Sequence, residues 1–204
     1  RWLFLPLSLL FLAIVSCGDQ EINVAGGGIG GTGYTSIGPI TALGSIYVNL
    51  SDYEKAVKYF SLALEIAERL NDKKSMAQSY INIAIIHKDN KDYNKALEYD
   101  QKAIELCKEI SDDKLLSNVY MNVSNIRFLK GEYDGAIDIC LKSLAIKRSN
   151  DDTYGMGIAY ANLGEYYFAL VKNAEQDHQI WESYLDSAIF SYRKSLYLAE
   201  KLHD

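Results

Sequence analysis

Asp52-Tyr53-Glu54-Lys55-Ala56 returns as Asp92-Tyr93-Asn94-Lys95-Ala96 and again as Glu132-Tyr133-Asp134-Gly135-Ala136, forty residues apart each time. Other columns keep the same interval: Tyr80, Tyr120 and Tyr160; Asn82, Asn122 and Asn162; Ala63, Ala103 and Ser143. Four independent columns at one spacing define a tandem repeat. Within a unit the periodicity is helical. Tyr80, Ile83, Ala84 and His87 make one stripe, and Ala96, Tyr99, Ala103, Cys107 and Ile110 make the next. The polar stretch between them, Lys88 to Asp92, suits a tight helix–helix turn. Ala56 and Ala63 let paired helices approach closely, and Phe60 fills the space between them. A single helix pair cannot bury both of its faces, so successive pairs must stack.

The two ends depart from this register. In the fourth unit the interval Gly164 to Ala188 is twelve residues longer than Ser124 to Ala136, which places an insertion near 172–183 (KNAEQDHQIWES). Trp181 within it is expected to cap the last helix or to serve as a contact. In the first unit Ile40 and Ala42 stand in the Tyr and Asn columns, and residues 40–48 (ITALGSIYV) read almost as well as a strand. Residues 1–50 and 51–204 could then be two unrelated reading frames joined near Leu43 to Tyr47, which a sequencing read through the junction decides.

The repeat resembles the tetratricopeptide repeat. Gly44, Tyr47, Ala56, Phe60 and Ala63 fit its consensus columns in the first unit, and Gly164 and Tyr167 fit two of them in the fourth. The usual period is about 34 residues, so the forty-residue unit is similar to the long-repeat branch that includes kinesin light chains. The closing proline of that pattern is absent. The resemblance implies an all-α fold, a right-handed α-solenoid of helix hairpins. Its units would be 39–71, 72–111, 112–151 and 152–204.

In such arrays the first helix of each pair lines a groove that takes a protein or an extended peptide. The resemblance assigns Asn82, Asn122 and Asn162 to that groove, where an amide offers a donor and an acceptor to a peptide backbone. By the same register the groove also holds Gln78, Ile81, Ile85 and Lys88, then Asn118, Met121, Asn125 and Phe128, then Ile158, Ala161, Glu165 and Phe168. It lacks the Lys/Arg cluster that grips terminal carboxylates in chaperone-type relatives, which disfavours a strongly acidic peptide end.

Ahead of the repeat, Trp2 to Val15 is an apolar run broken only by Pro6 and Ser8. It is shorter than the roughly 18–20 residues of a membrane-spanning helix and has the layout of an export signal. Ile14-Val15-Ser16-Cys17 resembles the lipobox of bacterial lipoproteins, which implies residues 1–17 as signal and Cys17 as the acylated residue. The chain would then be anchored to an envelope membrane. Gly18 in place of Asp favours the periplasmic face of the outer membrane, and a plain secretory signal would leave the chain periplasmic or secreted. Residues 18–38 read as a Gly-rich, disordered linker, since Ala25 to Gly38 holds seven of the 14 glycines. Gly28-Ile29-Gly30-Gly31-Thr32-Gly33 satisfies GxGxxG, but no strand–helix–strand unit follows it, as a dinucleotide site requires. Gly27 to Asn49 also resembles the opening of a lipoprotein family of unknown function.

The composition narrows the chemistry. Lys plus Arg is 21 against 27 for Asp plus Glu, a net charge of −6 without a basic run, which excludes a nucleic-acid-gripping surface on this segment. His87, His178 and His203 stand far apart without metal-site spacing, and no GxSxG elbow is present. Cys107 and Cys140 fall on helix stripes as small buried hydrophobes, with a disulfide between them left open. The sequence therefore reads as a non-catalytic, cofactor-free binding scaffold. The alternative is the sensor region of a bacterial histidine kinase or helix-turn-helix regulator, since Leu202-His203-Asp204 falls in mid-pattern.

Overall fold

The computed structural model describes residues 37–174 and 178–202. The signal and linker readings, Cys17, the GxGxxG run and His203 lie outside the described residues. Eight helices occupy the described part: α1 (Ile37–Asn49), α2 (Tyr53–Arg69), α3 (Lys73–Asp89), α4 (Tyr93–Glu109), α5 (Asp113–Leu129), α6 (Tyr133–Ser149), α7 (Thr153–Asn173) and α8 (His178–Lys201). They pair in chain order as four antiparallel hairpins, and each hairpin packs on the next, an all-α solenoid.

Residues 40–48 are helical, not a strand, and α1 starts at Ile37, inside the stretch read as linker. The reason is packing. Gly44 lies against Phe60 so closely that a Cβ there would sit 2.6 Å from the ring. Ile40 is buried with Ala63 and Ile66. Ala42 between them is exposed, so the buried pair 40 and 44 follows the turn of a helix rather than the alternation of a strand.

The same register recurs with complementary volumes. Gly164 faces Tyr192, which a Cβ would meet at 2.8 Å. In the second and third hairpins the equivalent positions are Ala84 with Asp100 and Ser124 with Cys140, a slightly larger residue facing a smaller one. The fully buried Ala56, Ala96 and Ala136 set how near the paired helices come. Ser143 Oγ reaches across its hairpin to donate to the Ser117 carbonyl at 2.7 Å.

A second period, of twenty residues, governs the connections. Ser51, Asn71, Lys91, Ser111, Gly131 and Asp151 all have positive φ, between 52° and 79°. Each is followed by an acidic residue (Asp52, Asp72, Asp92, Asp112, Glu132, Asp152) whose N–H bonds back to the third-last residue of the helix before, at 2.8–2.9 Å. This is the Schellman closure, and the same residue caps the next helix. The Asp52, Asp72, Asp112 and Asp152 carboxylates accept an N–H of their own first turn, whereas Asp92 and Glu132 do not. Turns inside hairpins and turns between hairpins are thus built alike. The helices from α2 to α6 all have 17 residues.

The fourth-hairpin insertion is absorbed mainly as helix, since α7 has 21 residues and α8 has 24. Trp181 sits half-buried in the first turn of α8, edge-on to His178 at 6.0 Å. Cys107 and Cys140 are buried free thiols on α4 and α6.

Five of the six left-handed positions carry a side chain, which costs about 1 kcal/mol relative to glycine. At Gly131 a Cβ would meet nothing within 4 Å, so only the backbone opposes it there. Lys91→Gly is expected to raise stability in urea unfolding by about 0.5–1 kcal/mol and Gly131→Ala to lower it by about 1 kcal/mol. Equal midpoints for both variants and the parent would contradict this account of the turns.

Candidate peptide groove

One side of the stack is closed up and the other is spread. Among the described residues α1 touches α3, α3 touches α5 and α5 touches α7, whereas α2, α4, α6 and α8 do not touch one another. First helices therefore line the inner face, where the sequence register placed the groove.

On α3 that face carries exposed Gln78, buried Ile81, and half-buried Asn82, Ile85 and Lys88. On α5 it carries exposed Asn118, buried Met121 and Asn122, and half-buried Asn125 and Phe128. On α7 it carries exposed Ile158, half-buried Ala161 and Asn162, and exposed Glu165 and Phe168. Lys88 pairs with Asp89 at 3.4 Å, and Lys172 lies 4.8 Å over the Phe168 ring.

The three asparagines are not equivalent, contrary to the expectation of an even ladder of two-handed amides. Asn122 is 9% exposed, and its Nδ2 donates to both oxygens of Asp100, at 3.2 and 3.4 Å. It joins the second and third hairpins, its nitrogen spent on Asp100. Asn82 accepts from Gln78 Nε2 at 3.4 Å. Asn162 donates to Asn125 Oδ1 at 3.0 Å, and the same oxygen accepts from the hydroxyl of buried Tyr166. Ser124 Oγ lies 3.3 Å from that hydroxyl, and Phe128 stacks on the Tyr166 ring at 4.8 Å. Asn118 Oδ1 accepts from Lys147 Nζ at 3.1 Å. Among the described residues the Asn82 and Asn125 nitrogens and the Asn162 carbonyl find no hydrogen-bond partner. Each of these residues keeps one hand free rather than two.

Asp100 is the feature the sequence reading missed. It is 0% exposed and stands in the column of Phe60, Cys140 and Tyr192. An acidic residue among those three was the available signal. Burial pushes its carboxyl up to about 7, against the opposing pull of the Asn122 hydrogen bond and the Lys88 charge. Lys147 breaks a neighbouring column in the same way, between Cys107 and Ala199. Its buried ammonium is held by Asp152 at 3.3 Å and by Asn118.

Nucleophilic chemistry finds poor material here. Burial raises the Cys107 thiol to about 11 and the Cys140 thiol to about 12. Among the described residues no group of three His, Cys, Asp or Glu could hold a metal ion. An open notch of about 770 Å³ runs along the turns between hairpins, bordered by Asn71, Lys73, Lys74, Asp112, Lys114 and Asn150. It lies away from the groove, and its Lys74 and Asp112 pair with each other at 2.8 Å.

Comparison with known proteins agrees with this geometry. The tetratricopeptide-repeat family profile matches residues 39–109, across the junction between α1 and the rest. The fold is a tetratricopeptide-repeat solenoid. The crystal structure of BtubC (BKLC) from P. vanneervenii superposes with a TM-score of 0.68 at 19% identity, over 82% of this chain and 64% of that one. This chain thus spans under two thirds of that relative's length. MamA superposes at 0.58 with 20% identity, over 83% of this chain and 81% of that one. The apo form of RapI superposes at 0.56 with 17% identity, over 78% and 68%. No curated protein matches by sequence.

The Asp100 carboxyl, raised by folding, favours the native state while it is protonated. Its contribution is complete below the unfolded carboxylate range near pH 4 and is lost as pH rises toward 7. The loss amounts to about 4 kcal/mol at most. Asp100→Asn, which keeps the shape and can bond Asn122 amide to amide, is expected to be more stable than the parent at about pH 8 and to lose that pH slope. Urea unfolding between about pH 5 and 8 reads it. Parallel pH profiles for the two proteins would show that Asp100 is already neutralised by other means.

Proposed function

We propose that this chain is a non-catalytic scaffold that seats a protein segment, as an extended peptide, across the first-helix face of α3, α5 and α7. The observation that carries the reading is the strip where the third and fourth hairpins meet. Ile158 and Phe168 are 41% and 43% exposed there, beside the free half-amides of Asn125 and Asn162. Apolar side chains at that spacing give a peptide something to bury, and the amides give its backbone a donor and an acceptor without reading its sequence.

Charge limits the ligand. Lys88 is the only cation among the residues assigned to the face, and Asp89 already pairs with it, while Glu165 is exposed. A neutral or basic segment with apolar residues is therefore favoured over an acidic terminus. The signalling alternative finds no supporting feature among the described residues.

A peptide array probed with the full chain tests the reading. Segments that bind are expected to lose affinity at least about tenfold with Asn162→Ala plus Phe168→Ala, at unchanged helicity. Asn122→Ala is expected to lower stability instead, because Asp100 is then left buried without its donor. Array binding that is indifferent to the Asn162 and Phe168 changes would reject the groove as the site.

A further inference from the structure

The spacing of the first helices selects the conformation of a chain that crosses them. Cα atoms of α3 and α5, and of α5 and α7, come within 8 Å of each other, and helix axes in packed pairs stand about 8–10 Å apart. Equivalent residues, one per first helix, recur at about that interval. A β-strand returns a side chain to the same face every two residues, about 6.6 Å, and falls out of step with it. A polyproline II chain turns once in three residues and rises about 9.3 Å as it does so. Such a chain presents the same face to each first helix in turn.

The side chains of the inner face carry the same interval. Phe128 on α5 and Phe168 on α7 stand forty residues apart in one column. Phe128 is half-buried, backed by the Tyr166 ring at 4.8 Å and by Tyr133 at 5.6 Å. Phe168 is exposed, with Lys172 Nζ 4.8 Å from its centre. One helical turn before each ring stands a polar residue, Asn125 and Glu165. Tyr166 and Asn162 both donate to Asn125 Oδ1, which turns its nitrogen away from them. Among the described residues Arg127 Nε is the one buried side-chain N or O without a partner, so the unbonded Asn125 nitrogen reaches solvent. Each crossing therefore sets an aromatic ring beside a polar group, an amide donor on α5 and a carboxylate on α7.

We propose that the segment seated in the groove is a polyproline II helix with prolines three residues apart, one on Phe128 and the next on Phe168. The inference rests on the first-helix face of α3, α5 and α7 being the binding face. Proline suits these rings because its own ring is apolar and it has no N–H to leave unsatisfied. A chain already ordered as polyproline II also loses little freedom on binding. Its carbonyls make no internal bonds, and the one passing Asn125 accepts from Nδ2. On α7 the Glu165 carboxylate selects a basic residue beside the proline. On α3 the column holds Lys88, paired with Asp89, in place of a ring. Two prolines are therefore read, and not three.

Three labelled peptides, titrated against the full chain by fluorescence anisotropy, test the proposal. One is four repeats of Pro-Ala-Arg. The second has the same residues reordered so that the prolines stand two apart, and the third has valine in place of each proline. The triplet peptide is expected to bind saturably and at least about tenfold more tightly than either of the others. Phe168→Ala is expected to remove that preference, and Glu165→Gln to weaken the triplet peptide and flatten its salt dependence. Both residues are exposed, so circular dichroism is expected to show unchanged helicity. Absence of saturable binding by the triplet peptide overturns the proposal, as does equal affinity for all three. The groove itself is judged separately. Proline-free array segments whose binding depends on Asn162 and Phe168 would keep the groove while removing the polyproline II ligand, and array binding indifferent to both residues would remove the two together.

Discussion

Every other feature depends on one contact: the apolar stripe of a second helix closed by the first helix of the next hairpin. A 17-residue helix is marginal alone in water, and a pair of them still leaves oily flanks exposed. Stacking covers those flanks and so supplies most of what holds each helix in place. The same contact draws first helices together and leaves second helices apart. The inner face on which a peptide can lie follows from the packing of the hairpins.

Polar residues inside this contact are the exceptions that give it direction. Asp100, bonded to Asn122, and Lys147, bonded to Asn118 and Asp152, occupy columns that are apolar elsewhere. A buried polar pair must find its own partner, because a shifted register would leave a charge unmatched in a dry place. Such pairs weaken an interface and specify it in the same act. In this solenoid they stand at the second and third of the three junctions, whereas the first relies on Phe60, Ile83 and Ile86.

Much of the fold was legible in the sequence because the forty-residue columns are packing columns. Ala56, Ala96 and Ala136 repeat since two backbones approach at each of them. The first helix was harder to read, because Gly44 and Ile40 acquire meaning only beside Phe60 and Ala63, residues of the next helix. The twenty-residue period of the turns shows in the sequence only as the acidic residue after each one, because Ser51, Asn71, Lys91, Ser111 and Asp151 share a backbone conformation and no side-chain chemistry. The groove was legible as a register but not as a set of contacts. Whether an Asn on that face points out or bonds inward is decided by its neighbours, Asp100 for Asn122 and Asn125 for Asn162, and a single column cannot show that.

Amide hydrogen exchange along the whole chain bears most directly on the claim that neighbouring hairpins stabilise each other. Protection is expected to be greatest in α4 and α5, at the middle of the stack, and to fall toward α1 and toward α8, which have a neighbouring helix on one side only. A uniform level of protection from α1 to α8, lost in one step, would contradict the account, since it would mean a single shared core rather than a chain of contacts between neighbours.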